Sequence, residues 1–348
     1  VEMPSSFETS PSVMAGPQDS AAWWQAFGDA ELERLVSQAL EENRTLEAGL
    51  ANIIAARSSL TVAQADMMPG VTAGASVSTD SESDFRSFAR SARLSASYQL
   101  DLFGRLSASR DAAEAGLQSA EYTQRALELS IVSDLVVNYF DLQVARKQLE
   151  VATDNLDIAE RIFDIVQVRY DAGDISGFDL ASQEAALANS RAQIPQIQQQ
   201  ILSLRTAIAI LTGNAPQAFE VGEIDLYKAE LPVPDAGLPS ALLVRRPDLM
   251  QAEADLRASQ ANVQVARAAM LPGVDLGAGV TTLLTSLSDP TASLSAALSQ
   301  TLFSGGALEA QLESSQARRD ALIANYEQAI LTALREVDVA LSGMETSR

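Results

Sequence analysis

Ile131-Val-Ser-Asp-Leu135-Val-Val-Asn138-Tyr-Phe-Asp-Leu142-Gln-Val-Ala145-Arg-Lys-Gln-Leu149 is the stretch that decides how the chain folds. Leu135, Leu142 and Leu149 are spaced by seven, and the series continues through Leu156, Phe163 and Tyr170. Between them Ile131, Asn138, Ala145, Ala152, Ala159 and Val166 recur at the same interval. This is an a/d seam held over several heptads, as in a coiled coil. One layer is large and the other mostly alanine, so a partner helix can approach closely. A continuous helix from Gly104 to Tyr170 would be about 100 Å long at 1.5 Å per residue. Helices of compact domains usually run ~11–12 residues. The pattern therefore describes a rod, a stalk or the wall of a tube.

Working outward, Tyr170-Asp-Ala-Gly-Asp-Ile-Ser-Gly177 reads as a short turn, with Gly173 and Gly177 free to take backbone angles closed to other residues. A second helix follows, with Leu180, Leu187, Ile194, Ile201 and Ile208 flanked by Ile197, Leu204 and Leu211. Pro195 should bend it, and Gly213-Asn-Ala-Pro216 should end it.

On the N-terminal side the period changes to two. Val71, Ala73, Ala75 and Val77 alternate with Thr72, Gly74, Ser76 and Ser78. After a polar loop, Asp80 to Arg90, Ala92, Leu94, Ala96, Tyr98 and Leu100 alternate with Arg93, Ser95, Ser97 and Gln99. Each strand has one apolar and one polar face. An amphipathic hairpin on a soluble core and a membrane hairpin with lipid on one face and water on the other both fit this alternation.

The whole arrangement recurs. Val62-Ala-Gln-Ala-Asp-Met-Met-Pro-Gly-Val71 aligns with Val265-Ala-Arg-Ala-Ala-Met-Leu-Pro-Gly-Val274 at an offset of 203. Val274, Leu276, Ala278 and Val280 then alternate with Asp275, Gly277, Gly279 and Thr281, and the next strand carries Leu294, Ala296, Leu298 and Leu302. Leu302-Phe303-Ser-Gly305 echoes Leu102-Phe103-Gly104 before another helix. This is a tandem helix-strand-strand-helix repeat. The expected division is an extended segment over 1–28, anchored by Trp23, Trp24 and Phe27 packing as a hydrophobic staple on the first helix; a first repeat over 29–213; a connector over 214–235; and a second repeat over 236–348. Strands are expected at about 70–79, 91–101, 273–283 and 292–302, with a descending helix from 304. The second copy stops inside that helix, so it reads as a fragment lacking one helical hairpin.

Composition narrows the function. The chain has 348 residues and a formal charge of −22, which disfavours nucleic acid, because phosphate neutralisation needs a basic surface. It contains neither histidine nor cysteine. That removes disulfides, thiolate nucleophiles and His-based catalytic or metal sites. No catalytic residue, cofactor or metal ligand is expected, and the chain is not read as an enzyme. No apolar run approaches the ~20 residues of a spanning helix, which leaves a β-barrel open.

At this point the chain resembles the TolC-type outer-membrane efflux channels, within them the lipoprotein group serving resistance-nodulation-division (RND) pumps. The residues that carry this are Trp23-Trp-Gln-Ala-Phe27-Gly-Asp29 with Leu32 and Leu35, Leu100-Asp-Leu-Phe-Gly104, Arg169-Tyr-Asp-Ala-Gly173 with Ser176 and Asp179-Leu180, and Leu238-Pro-Ser-Ala-Leu-Leu-Val-Arg245-Arg246-Pro247-Asp248. The resemblance implies a mainly α fold with membrane β: a long α-helical barrel plus a 12-stranded β-barrel completed by a homotrimer. Four strands alone leave two open edges, which cannot face lipid, and a cyclic trimer closes the sheet.

It also implies an outer-membrane location reaching into the periplasm, and a passive exit duct for drugs and toxic compounds. The implied partners are a periplasmic adaptor, an inner-membrane RND-type transporter and outer-membrane lipid. Tyr170, Gly173, Ser176 and Asp179 become the periplasmic tip, contacting the adaptor and helping to gate the pore. Asp179 also reads as an N-terminal-turn carboxylate stabilising its helix. Val71, Leu94, Tyr98, Leu276 and Leu294 become lipid-facing. The lipidated group starts at a cysteine, which this sequence lacks. A type I secretion channel, a periplasmic adaptor and a coiled-coil scaffold are the alternatives; the repeat argues against the last two.

Overall fold

A computed structural model describes residues 22–78, 89–224, 239–284 and 286–346. The expected N-terminal segment up to residue 21, most of the loop from Asp80 to Arg90, residues 225–235 of the connector and Leu238 lie outside the described residues. The elements run α1 (Ala30–Glu42), α2 (Arg44–Ala65), β1 (Gly70–Ser78), β2 (Ala89–Leu100), α3 (Arg105–Asp171), α4 (Gly177–Leu211), α5 (Leu242–Arg245), α6 (Pro247–Ala268), β3 (Gly273–Leu283), β4 (Ser286–Ser299) and α7 (Ala307–Thr346). The repeat is visible in these bounds. Helices α2 and α6 start at 44 and 247, end at 65 and 268, and are followed by strands starting at 70 and 273, an offset of 203 each time. Among the described residues no helix is long and apolar enough to cross a membrane.

One compact unit holds residues 11–48 and 126–235. Its core is built by the expected seam. Leu135, Leu142 and Ala145 of α3 are fully buried, and Ile131, Val132 and Tyr139 complete that face. Against it pack Leu32, Leu35, Val36 and Ala39, the i, i+3, i+4, i+7 stripe of α1, together with Ile208 of α4. Asp29 starts α1 by accepting from the backbone of Glu31 (2.9 Å) and Leu32 (3.1 Å), while its second oxygen accepts from the Tyr139 hydroxyl at 2.7 Å. Phe27 lies 5.0 Å from the Phe140 ring, so the aromatic anchor packs on α3 and does not only staple α1.

Asn43 separates α1 from α2 and ties in α4. Its oxygen accepts from Thr45 and Leu46 N–H, and its amide donates to the Leu211 carbonyl at 2.7 Å. At the end of α4, Gly213 has φ +73°, and a Cβ there would stand 2.4 Å from the Glu42 carbonyl oxygen, so only glycine fits. Helix α4 continues unbroken through Pro195. The described part of the connector is strapped down by Arg146, which donates to the carbonyls of Val221 and Gly222.

The other unit holds residues 49–125 and 236–348 and contains the sheet, in the antiparallel order β1-β2-β3-β4. Strand β4 begins at Ser286, before the expected residue 292, and ends at Ser299, so Leu302 lies beyond it. Pro290 hid this extension in the sequence. Proline demotes a strand because it cannot donate to a ladder, but β4 is an edge strand, where that donor is dispensable. Helices α6 and α7 pack through Leu249, Ile330 and Ala333. Arg246 joins them, donating to Asp248 at 2.7 Å and to Glu336 at 2.8 Å. Hence the Arg-Arg-Pro-Asp motif is a helix-start clasp. Pro247 sits in the first turn of α6, where its missing N–H costs nothing.

Candidate functional site

Two regions carry the candidate residues. The first is the turn between α3 and α4. The Asp174 N–H donates to the Arg169 carbonyl and the Gly173 N–H to the Tyr170 carbonyl, both at 2.9 Å. This is a Schellman ending, with Gly173 at φ +80°. Gly177, in contrast, is not in the left-handed region. A Cβ there would meet the Tyr170 ring only at an ordinary van der Waals distance of 3.8 Å, so the turn itself does not demand glycine at 177.

Ser176 and Asp179 form a reciprocal capping box. The Asp179 N–H donates to the Ser176 hydroxyl at 3.2 Å, and the Ser176 N–H donates to the Asp179 carboxylate at 3.1 Å. Hydrogen bonds from the Ser176 side chain, then its backbone, hold the Asp179 carboxyl below its usual range. The carboxylate reading of Asp179 as a helix-start group is thus the one the contacts display. The turn leaves Tyr170 exposed at 41% and Phe178 at 81%.

The second region is the sheet, whose register sorts its two faces. Directly opposed pairs include Val71–Ala96, Ala73–Leu94, Leu94–Val280, Tyr98–Leu276 and Ala278–Leu294. All five candidate residues Val71, Leu94, Tyr98, Leu276 and Leu294 therefore fall on one continuous apolar face across four strands. The opposite face pairs Thr72 with Ser95, Ser76 with Ser91, Ser97 with Gly277 and Gly279 with Ser293. Its hydroxyls bond to one another, Thr72 to Ser95 at 2.9 Å and Ser76 to Ser91 at 2.8 Å. Among the described residues nothing covers the apolar face: Leu94, Leu294 and Leu298 are 54%, 88% and 73% exposed. Strands β1 and β4 end the sheet, so each has an edge without a partner strand among the described residues.

A further feature escaped the sequence reading. Val137, Val144, Val151, Ile158 and Ile165 of α3 form a second heptad series, and all five are exposed. It lies two residues past the Leu135 series, whose Leu135 and Leu142 are buried, about 200° around a helix of 3.6 residues per turn. The spacing was available in the sequence, but one seam already explained the helix, and a second called for a partner on the opposite side.

Sheet and helices together define a class: chains whose antiparallel, two-sided sheet and long helices build an outer-membrane channel. A model of the family described as outer membrane efflux protein matches residues 35–214 and 238–348, and the chain belongs to that family. It is 34% identical to the pyoverdine export outer membrane protein OpmQ of Pseudomonas aeruginosa, over 96% of this chain and 74% of that protein. It is 30% identical to the cation efflux system protein CusC of Escherichia coli K12, over 98% of this chain and 77% of that protein. The solved open state of the Neisseria gonorrhoeae MtrE outer membrane channel superposes with a TM-score of 0.88 at 26% identity, covering 99% of this chain and 80% of that one. The chain is an outer-membrane efflux protein with a helical part and a β part.

Proposed function

We propose that three copies of this chain form a passive exit duct and receive solute from a periplasmic adaptor and an inner-membrane transporter. The observation that carries this is the register of the sheet. It sorts apolar side chains to one face and hydroxyls to the other while leaving β1 and β4 unpaired. An open edge in hydrocarbon costs several kcal/mol per unsatisfied group. Three sheets joined edge to edge give twelve strands, an even number as in bacterial barrels. Val71, Leu94, Tyr98, Leu276 and Leu294 then face lipid. The exposed valine and isoleucine series on α3 supports the same reading, because a helix in a tube wall needs a neighbour on both sides.

The turn bearing Tyr170, Gly173, Ser176 and Asp179 is assigned to the adaptor-facing, gating end. Its backbone is fixed by the Schellman ending and the capping box, so a defined shape presents Phe178 and Tyr170 outward. An exposed aromatic on a rigid turn suits a protein partner. The relatives are named for pyoverdine export and for cation efflux, which suits a duct that does not itself select by tight binding. The test is Phe178→Asp in the full-length protein. Trimers should still assemble while efflux of a fluorescent substrate falls at least tenfold. If the variant pumps like the parent, the turn is a connector and docking lies elsewhere.

A further inference from the structure

We propose that Arg93 forms a cationic collar inside the barrel that draws small solutes carrying carboxylate, phosphate or sulfonate groups toward the exit. This rests on the reading above that the hydroxyl face lines water. The register places Arg93 on that face, opposite Gly74 of β1 and Thr281 of β3. Gly74 has no side chain to cover the guanidinium, and a Cβ built there would meet nothing within 4 Å. The other ionised side chain described on this face is Asp275, which pairs with Gln99. It stands six positions from Thr281 along β3, about 20 Å at ~3.3 Å per residue. The two therefore do not neutralise each other, and Arg93 has no ion pair among the described residues.

Depth sharpens the point. Arg93 lies between Ala92 and Leu94, which face the apolar side beside Ala75 and Ala73. It is thus level with hydrocarbon, where a charge is costly unless it meets water or a counter-ion in the lumen. A threefold assembly brings three guanidiniums to one height, and rings of arginine favour anions. The chain as a whole carries −22, so this collar opposes the prevailing field. Arg90, on the opposite face beside Val77 at the loop end of the strand, cannot share the role.

These 348 residues contain no cysteine, so a full-length protein cleared of any cysteine outside them permits a direct probe. Ser95→Cys places one thiol on the same face, two residues from Arg93. In outer membranes holding the full-length protein, its reaction rates with a sulfonate-bearing and a trimethylammonium-bearing methanethiosulfonate are compared. A unit charge about 7 Å away in water changes each rate about threefold, in opposite directions. The ratio of anionic to cationic rates should therefore fall about five- to tenfold in Arg93→Gln. It should hold in Arg93→Lys and in Arg90→Gln, and collapse in molar salt, where screening acts within about 3 Å. A ratio unmoved by Arg93→Gln overturns the collar while leaving the water-lined face intact. A thiol at Ser95 that reacts with neither reagent overturns the water-lined face itself.

Discussion

In the core formed by α1, α3 and α4, the chain covers its own apolar side chains. Leu32, Leu35, Leu135, Leu142 and Ile208 have no exposed area. In the sheet, Leu94, Leu294 and Leu298 are left open, although the alternation that places them is as regular as the heptads of α3. The same chemistry, apolar residues sorted to one side, thus produces a finished core in one region and an unfinished surface in the other. The difference teaches where stability comes from. The helical core draws on intrachain burial at about 25 cal/mol per Å². The sheet has hydrogen bonds within itself, and in the proposed assembly its apolar cover comes from lipid and its edge partners from other copies.

Substitutions can break this comparison. The largest expected effect is Leu135→Ala, which opens a cavity in the helical core and should cost about 2–5 kcal/mol. Urea titration should show the loss both in detergent and in membranes, because the site owes nothing to either. Leu94→Arg or Leu276→Arg should cost about 2–4 kcal/mol, but only on insertion. Ser95→Arg or Thr281→Arg should insert normally, since that face is assigned to water. Equal outer-membrane yields of the two classes would erase the distinction between the sheet faces.

Smaller effects belong to the turn. Gly173→Ala forces a side chain into the left-handed region and should cost about 1–2 kcal/mol. Gly173→Pro should do more, because it also removes the N–H that bonds to Tyr170. Ser176→Ala removes a cap worth about 1 kcal/mol. Hydrogen exchange should locate these losses at the end of α3 and the start of α4 and leave the core around Tyr139 protected. Protection lost throughout the core would contradict a locally determined turn.

The smallest effect is one of pH. Burial raises the Asp248 carboxyl, but the Arg246 hydrogen bond and charge outweigh it and hold it below its usual range. Its folded pKa is thus depressed, so its contribution is complete above the ordinary aspartate value of about 3.9. It is lost as pH falls through the lower folded value. The melting temperature of the α6–α7 pair should fall on acidification below about pH 4, and Asp248→Asn should flatten that dependence. A melting temperature equally steep in the variant would assign the acid sensitivity to other groups.

Much of this was legible in the sequence, for physical reasons that differ by element. The α3 seam and the strand faces are periodic, and periodicity is written locally. The repeat of 203 residues turned two ambiguous hairpins into one sheet. Asn43 was not legible, because its bond to Leu211 spans 168 positions and no local pattern announces it. The start of β4 was hidden by Pro290, whose tolerance depends on the strand lying at an edge. The capping box of Ser176 and Asp179 was half seen, as a carboxylate near a helix start. Its reciprocal geometry needs coordinates.

The central claim is that the sheet is finished by other copies of the chain. The most direct test is the mass of the full-length protein extracted in mild detergent, measured by native mass spectrometry or by light scattering corrected for bound detergent. Three chains per particle are expected, persisting on dilution, because each copy satisfies the β1 edge of one neighbour and the β4 edge of the other. A stable, folded monomer under the same conditions would contradict it.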